Sequence, residues 1–218
     1  MITEAEISKI NKRYTDRFKL NGYSPKTLGW SDKKQQELRF DRFTQNLDLN
    51  NKNILDVGCG FGDFFSYLKT KTSYEFHYTG IDINPDLIKT AKKLHKDNAS
   101  FKLMNILDES QYEILKKRKF HIVSAIGVFN LNFCQNPIEM QKFLIQMINK
   151  MILISYEAVL FDFIPNKRID NYKSEDYIME YSLDLISKIM SENKLKYSIF
   201  CDQKPNPMSE ALVVAKKL

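Results

Sequence analysis

The sequence predicts a doubly wound α/β fold, a mostly parallel sheet with helices on both faces. Three observations carry this: apolar runs of strand length recur from residue 53 onward, segments of helical period separate the earlier runs, and a glycine-rich bend follows the first one. Parallel strands need crossovers, and a crossover helix buries its apolar stripe on the sheet. The alternation therefore implies a sheet covered on both sides.

Two segments precede the first strand. Thr3 to Phe18 and Lys33 to Leu47 read as helices, with Gly22, Pro25 and Gly29 punctuating the loop between them. They are expected to form a helical cap over residues 1–50, with residues 51–218 as the α/β core of a single domain spanning 1–218. Strands are expected at Asn53 to Val57, Phe76 to Ile83, Ser100 to Met104, Phe120 to Ala125, Met151 to Ser155, Tyr197 to Cys201 and Leu212 to Ala215. Helical spacing separates the early ones, through Phe64, Phe65 and Leu68, then Leu87, Ile88, Ala91 and Leu94, then Ile114 and Leu115. An insertion is expected near 158–175. Between the last two strands, Asp202 to Glu210 holds Pro205 and Pro207 and has no helical period, so a hairpin is expected. The final strand then runs antiparallel to the rest and completes a seven-stranded sheet.

Composition narrows the class. With 218 residues, 43% of them apolar, the chain fills one large core. The net charge of +6 invites a nucleic-acid partner, but lysines are spread along the whole chain, which favours solvated surfaces. Cys59, Cys134 and Cys201 are odd in number with no Cys-x-x-Cys pair, and His77, His95 and His121 are scattered, so neither a disulfide framework nor a metal site is expected. No run of ~18 apolar residues is present to span a bilayer, and the N-terminus lacks the apolar core of a signal peptide. A cytoplasmic location and no membrane partner are expected.

The most informative stretch is Ile54-Leu55-Asp56-Val57-Gly58-Cys59-Gly60-Phe61-Gly62-Asp63-Phe64, which holds three of the chain's seven glycines. Glycine is needed where a backbone leaves a strand in a tight turn at positive φ and lets a ligand approach closely. A dinucleotide fingerprint wants Gly-x-Gly-x-x-Gly so that a pyrophosphate meets the helix N-terminus. Here the third glycine comes one residue early, and Asp56 and Asp63 flank the bend where negative charge opposes a pyrophosphate. Those carboxylates suit a cofactor carrying a cationic ammonium and sulfonium. A second strand, Tyr78-Thr79-Gly80-Ile81-Asp82, ends in an acid roughly 20 residues on, the spacing at which a carboxylate accepts ribose hydroxyls. Asn84 then caps, and Pro85 opens, the next helix.

Ile54 to Leu68, together with Gly80-Ile81-Asp82, resembles motifs I and II of the class I S-adenosylmethionine-dependent methyltransferases, and the expected layout is similar to that family's fold. The resemblance covers the chain from about residue 36 onward. It implies that Asp56, Gly58, Cys59, Gly60 and Gly62 shape a methionine pocket and that Asp82, beside Ile83, holds the ribose of S-adenosylmethionine. Met104-Asn105-Ile106-Leu107-Asp108 matches the place where the family has an acid facing the adenine amino group. Asn105 takes that slot here, so the contact persists through its amide oxygen or passes to Asp108. Ala125-Ile126-Gly127-Val128-Phe129-Asn130 matches the segment after the fourth strand that faces both cofactor and substrate. Gly29-Trp30-Ser31 and Gln36-x-x-Arg39-Phe40 resemble the lead-in of a bacterial, largely uncharacterised branch of small methyltransferases. That resemblance implies that Arg39 pairs with the cofactor carboxylate and that Trp30 closes over the pocket. A helix-surface arginine and a core-packing tryptophan remain the alternative.

Because a sulfonium is an activated methyl donor, the protein need only hold a nucleophile in line and exclude water. An oxygen nucleophile gains from a general base. The catalytic candidates are Glu157, Asp162 and Asn130, whereas His121 lies at the wrong end of its strand. The Asn/Asp-Pro-Pro-aromatic pattern of base-amino methylation and the Pro-Cys of cytosine C5 chemistry are both absent. What remains is a small-molecule or saccharide acceptor methylated at oxygen, gripped by Tyr14 to Arg39 and by Phe161 to Tyr177, which carries Asp162, Asn166, Lys167, Arg168 and Asp170. RNA methylation and a non-catalytic cofactor-binding partner or sensor are the alternatives.

Overall fold

A computed structural model of the protein describes residues 3–45, 47–71, 73, 75–134, 136–166, 177–201 and 210–218. Helix α1 (Glu4–Asn21) starts at a capping box: Glu6 N–H donates to Thr3 Oγ1, and Glu6 Oε2 accepts from Thr3 N at 2.7 Å. Ser24 caps the short α2 (Pro25–Leu28), and Asp32 caps α3 (Lys33–Thr44) by accepting from Gln35 N at 2.8 Å. The core then alternates β1 (Lys52–Val57), α4 (Asp63–Lys71), β2 (Phe76–Asp82), α5 (Pro85–His95), β3 (Ser100–Leu103), α6 (Glu109–Lys116), β4 (Phe120–Ala125), α7 (Pro137–Ile154) and β5 (Ser155–Pro165). It closes with β6 (Glu180–Tyr181), α8 (Leu183–Glu192), β7 (Lys196–Cys201) and β8 (Ala211–Lys216).

The strands form one sheet in the order β3-β2-β1-β4-β5-β8-β7, with the two-residue β6 added to β5. The first five pair in parallel, and β8 runs antiparallel to both β5 and β7. Two cores result, one on each face. Phe43, Leu68, Ile88 and Ala91 from α3, α4 and α5 cover one side, and Tyr112, Leu144, Ile148 and Ile186 from α6, α7 and α8 cover the other. Removing a side chain of this size from water contributes about 1.5 to 3 kcal/mol, which is why the helices are held to the sheet. The order reverses between β1 and β4. At such a point loops from the two directions splay apart and leave a crevice beyond the carboxyl ends of the strands.

Several boundaries differ from expectation. Met151 to Ile154 is the last turn of α7 rather than a strand, and the fifth strand begins at Ser155. A short apolar run does not distinguish the two, but Met140, Leu144, Met147, Ile148 and Met151 are buried at helical spacing. The region expected to open an insertion at 158 continues instead as β5, buried through Pro165 because its neighbours β4 and β8 cover both edges. Residues 167–176, with Lys167, Arg168 and Asp170, lie outside the described residues, as does 202–209 in the expected hairpin connection. The antiparallel pairing of β7 with β8 is as expected, while α8 and β6 come in addition.

Polar contacts at several places fasten the cap, two of them at α5 and β5. Thr15 Oγ1 donates to Asp86 at 2.7 Å and Asn84 Nδ2 donates to the Asn11 carbonyl at 3.1 Å, which ties α1 to the start of α5. On α3, Arg39 is 6% exposed and forms ion pairs with Asp162 of β5, at 2.7 Å, and with Glu210 just before β8. Removing one member of a buried ion pair costs about 3 to 5 kcal/mol, because the partner charge stays buried without compensation. Arg39→Met is therefore expected to lower the free energy of unfolding by about that amount, measured by denaturant titration. A loss below about 1 kcal/mol would show that the ion pairs of Arg39 do not hold the cap.

Candidate active site

The bend after β1 is shaped by what surrounds it. Gly58 N and Cys59 N both donate to the carbonyl of Ile81, at 2.8 and 3.0 Å, which pins the bend to the end of β2. Gly58 has φ +72°, and a Cβ there would lie 2.6 Å from Cγ2 of Val128; at Gly60, with φ +55°, it would lie 2.9 Å from Cδ1 of Leu28. Any side chain at either position would be strained and would fill the space in front of the bend.

That space is a cavity of about 1170 Å³, with its open mouth included. Its walls carry three carboxylates, Asp56, Asp63 and Asp82, and among the described residues no lysine, arginine or histidine. Asp82 Oδ2 accepts from Gly60 N at 3.0 Å and Oδ1 from Asn84 N at 2.8 Å, leaving one lone pair on each oxygen for a ligand. Burial raises its pKa, and those backbone amides oppose the shift. Asp56 is 3% exposed and accepts from Ser124 Oγ at 2.7 Å and from the Tyr78 hydroxyl. Burial pushes its pKa up to about 6, against the pull of those two hydroxyls. Asp63 opens α4 and accepts from the Tyr23 hydroxyl at 2.9 Å and from Gln36 Nε2 at 3.1 Å, two donors from the cap.

Nine of the residues expected to meet the cofactor line this cavity: Asp56, Gly58, Cys59, Gly60, Asp82, Ile83, Asn105, Ile106 and Gly127. Gly62 does not; it stands behind the bend, where a Cβ would lie 2.6 Å from Phe101 and 2.9 Å from His95. Ala125 is wholly buried in the sheet. Asn105 Oδ1 already accepts from Leu107 N at 2.9 Å, and Asp108, the alternative to it, caps α6 by accepting from Gln111 N at 2.9 Å. Cys59 is buried against Gly80, and burial raises its thiol pKa well above the ordinary value, so it is a packing residue of the bend rather than a nucleophile.

The remaining expectations need correction. Arg39 lies outside this cavity and is matched by protein carboxylates, with its guanidinium 4.9 Å from the Trp30 ring. Glu157 sits near the start of β5, at the opposite end of the strands, paired with Lys52 at 2.7 Å. The misplaced start of that strand is the reason it looked like a strand-end residue. Asp162 is completely buried and accepts from Arg39 and, at 2.6 Å, from Gly127 N, so it positions the loop after β4. Asn130 lines an adjoining cavity and donates to Glu210 at 2.7 Å. Sequence reasoning missed Ile7 and Ile10, which with Tyr14 form one wall of the main cavity. The signal was an apolar stripe at i, i+3 and i+7 on α1, a helix with no residue buried in the core.

A sheet of this order with an acid-flanked glycine bend at its switch point defines a class I S-adenosylmethionine-dependent methyltransferase fold. Residues 48–210 match the family model described as a methyltransferase domain, and the chain belongs to that family. Over 57 residues it is 42% identical to the phthiotriol/phenolphthiotriol dimycocerosates methyltransferase of Mycobacterium tuberculosis, an alignment covering 26% of this chain and 21% of that protein. The chain thus spans about a fifth of the length of that curated relative. Among solved structures, magnesium protoporphyrin IX methyltransferase from Synechocystis PCC 6803 with bound SAM has a TM-score of 0.66 at 13% identity, covering 100% of both chains. The N-methyltransferase NodS from Bradyrhizobium japonicum WM9, in complex with S-adenosyl-l-homocysteine, has a TM-score of 0.64 at 16% identity, covering 97% of each chain. At these identities the two structures share the fold.

The raised pKa of Asp56 has a consequence for stability. Its value of about 6 exceeds the ~3.9 of an unfolded aspartate, so the native state binds this proton more tightly. The stabilisation is complete below pH ~4 and is lost as pH rises towards 6, by about 2 to 3 kcal/mol. Unfolding titrations of the ligand-free protein and of Asp56→Asn at pH 4 and 7 should show a fall larger by this amount in the wild type. Equal slopes would mean that the carboxyl is ionised throughout.

Proposed function

We propose that this chain transfers a methyl group from S-adenosylmethionine, held in the cavity over Gly58 to Gly62, to an oxygen of a small-molecule or saccharide-type acceptor. The observation that carries this is the cavity's charge: three carboxylates and, among the described residues, no cation. A pyrophosphate would be repelled there, whereas an ammonium and a sulfonium are attracted. The bend fits such a ligand, since a Cβ at Gly58 or Gly60 would occupy the space it needs.

In this reading Asp82 accepts the ribose hydroxyls through its two remaining lone pairs, and Asp56 and Asp63 lie on the methionine side. Asn105 and Ile106 border the adenine, and Gly127 and Trp30 stand where cofactor and acceptor meet. When bound, the sulfonium would supply an activated methyl: the acceptor oxygen's lone pair forms the new C–O bond, the C–S bonding pair returns to sulfur and the hydroxyl proton is released to solvent. The residues do the rest: Ile7, Ile10 and Tyr14 of the cap exclude water, and the Asp162 carboxylate fixes the Gly127 loop. No triad is needed, and none of the three candidate bases is free in the cavity. Glu157 is remote, Asp162 is committed to Arg39 and Gly127, and Asn130 has no basic atom.

Calorimetry with S-adenosylhomocysteine and with NAD tests the reading. Micromolar-range binding of the former is expected, weakened at least tenfold (~1.4 kcal/mol) in Asp82→Ala. Tight NAD binding, or an Asp82→Ala variant with undiminished affinity, would contradict it.

A further inference from the structure

A second cavity, of about 840 Å³ with its mouth, adjoins the first. The two share Tyr14, Leu28, Trp30, Gly127 and Leu131, so they lie side by side. Their charges differ. Where the first has only carboxylates, the second is bordered by Arg13, Arg17 and Arg39 and a single acid, Glu210. Arg39 is already matched by Glu210 and Asp162, which leaves the two arginines of α1 as the charges without an ion-pair partner among the described residues.

Neither Arg13 nor Arg17 forms an ion pair among the described residues. Arg17 spends Nε and Nη2 on the carbonyls of Thr27 and Lys26, which leaves Nη1. The Arg13 guanidinium lies 5.3 Å from the centroid of the Tyr177 ring, and among the described residues its donors meet no carboxylate. Being four residues apart on one helix, the two point to the same side. Asn130 borders the same cavity and donates through Nδ2 to Glu210 at 2.7 Å. Leu28, Leu131, Ile164 and Ile178 make the rest of the wall apolar.

We infer that this second cavity is the acceptor site and that the acceptor is an apolar-bodied small molecule with an anionic group, a carboxylate or a phosphate, seated on Arg13 and Arg17. Its hydroxyl is the nucleophilic end and lies toward Gly127 and the neighbouring cavity. The inference rests on the methyl-transfer reading of the first cavity and adds the chemical class of the second ligand. It also assigns Arg13 as the residue that sets specificity.

The test is calorimetry on the full chain saturated with S-adenosylhomocysteine, using 4-hydroxybenzoate, phenyl phosphate and the neutral 4-hydroxybenzyl alcohol as probes. At least one anionic probe should bind at least tenfold more tightly than the alcohol, and which one does so separates carboxylate from phosphate. Arg13→Gln should weaken that binding at least tenfold, Arg13→Lys should weaken it less, and Lys12→Gln, on the exposed face of the same helix, should change it by less than twofold. Affinity for S-adenosylhomocysteine should be the same in all three variants, which reports that the cap has folded. Equal binding of neutral and anionic probes, no binding of any probe, or an unaffected Arg13→Gln variant would overturn the inference while leaving the cofactor assignment intact. Failure of the wild type to bind S-adenosylhomocysteine would instead remove the methyl-transfer reading and this inference with it.

Discussion

The constraint on which the site depends is the separation of charge about Trp30 and Gly127, which border both cavities. On one side three aspartates line a cavity with no cation among the described residues, and on the other Arg13 and Arg17 meet no carboxylate among the described residues. In a partly desolvated cavity such fixed charges act strongly and need no reorganisation when a ligand arrives. The arrangement suits a positive cofactor beside a negative acceptor. Their mutual attraction would also hold nucleophile and methyl close together.

The fold makes that separation possible through a few specific contacts. The switch between β1 and β4 opens the crevice, and the amides of Gly58 and Cys59 on the Ile81 carbonyl hold the bend open at its base. Asp162 links both halves: one oxygen takes the Gly127 amide, and the other takes Arg39 of the cap. Arg39 is thus a positioning residue. It ties the cap helix, through Asp162, to the loop after β4.

Much of the core was legible in the sequence because its signals are local. Strands with a buried period and caps such as Asn84 before Pro85 specify their own elements, and the glycine bend announces a site because positive φ and close approach are needed there. The junction of α7 with β5 was not legible, because Met151 to Ile154 are apolar in either state and only the preceding turns decide between them. Glu157 was misplaced in consequence. The role of Arg39 was hidden for a different reason: its partners lie 123 residues away at Asp162, and further still at Glu210, and no local pattern encodes such a pairing. The second cavity was equally hidden, since Arg13 and Arg17 read as ordinary surface charges on a cap helix until Tyr177 and Asn130 are placed beside them.

The most direct measurement is a crystal structure of the protein with S-adenosylhomocysteine bound. Both ribose hydroxyl oxygens should lie about 2.5 to 3.0 Å from the carboxylate of Asp82, with the amino acid end against Asp56 and Asp63 and no arginine touching it. A nucleoside found elsewhere, or one whose carboxylate had drawn Arg39 away from Asp162, would contradict the assignment of the acidic cavity.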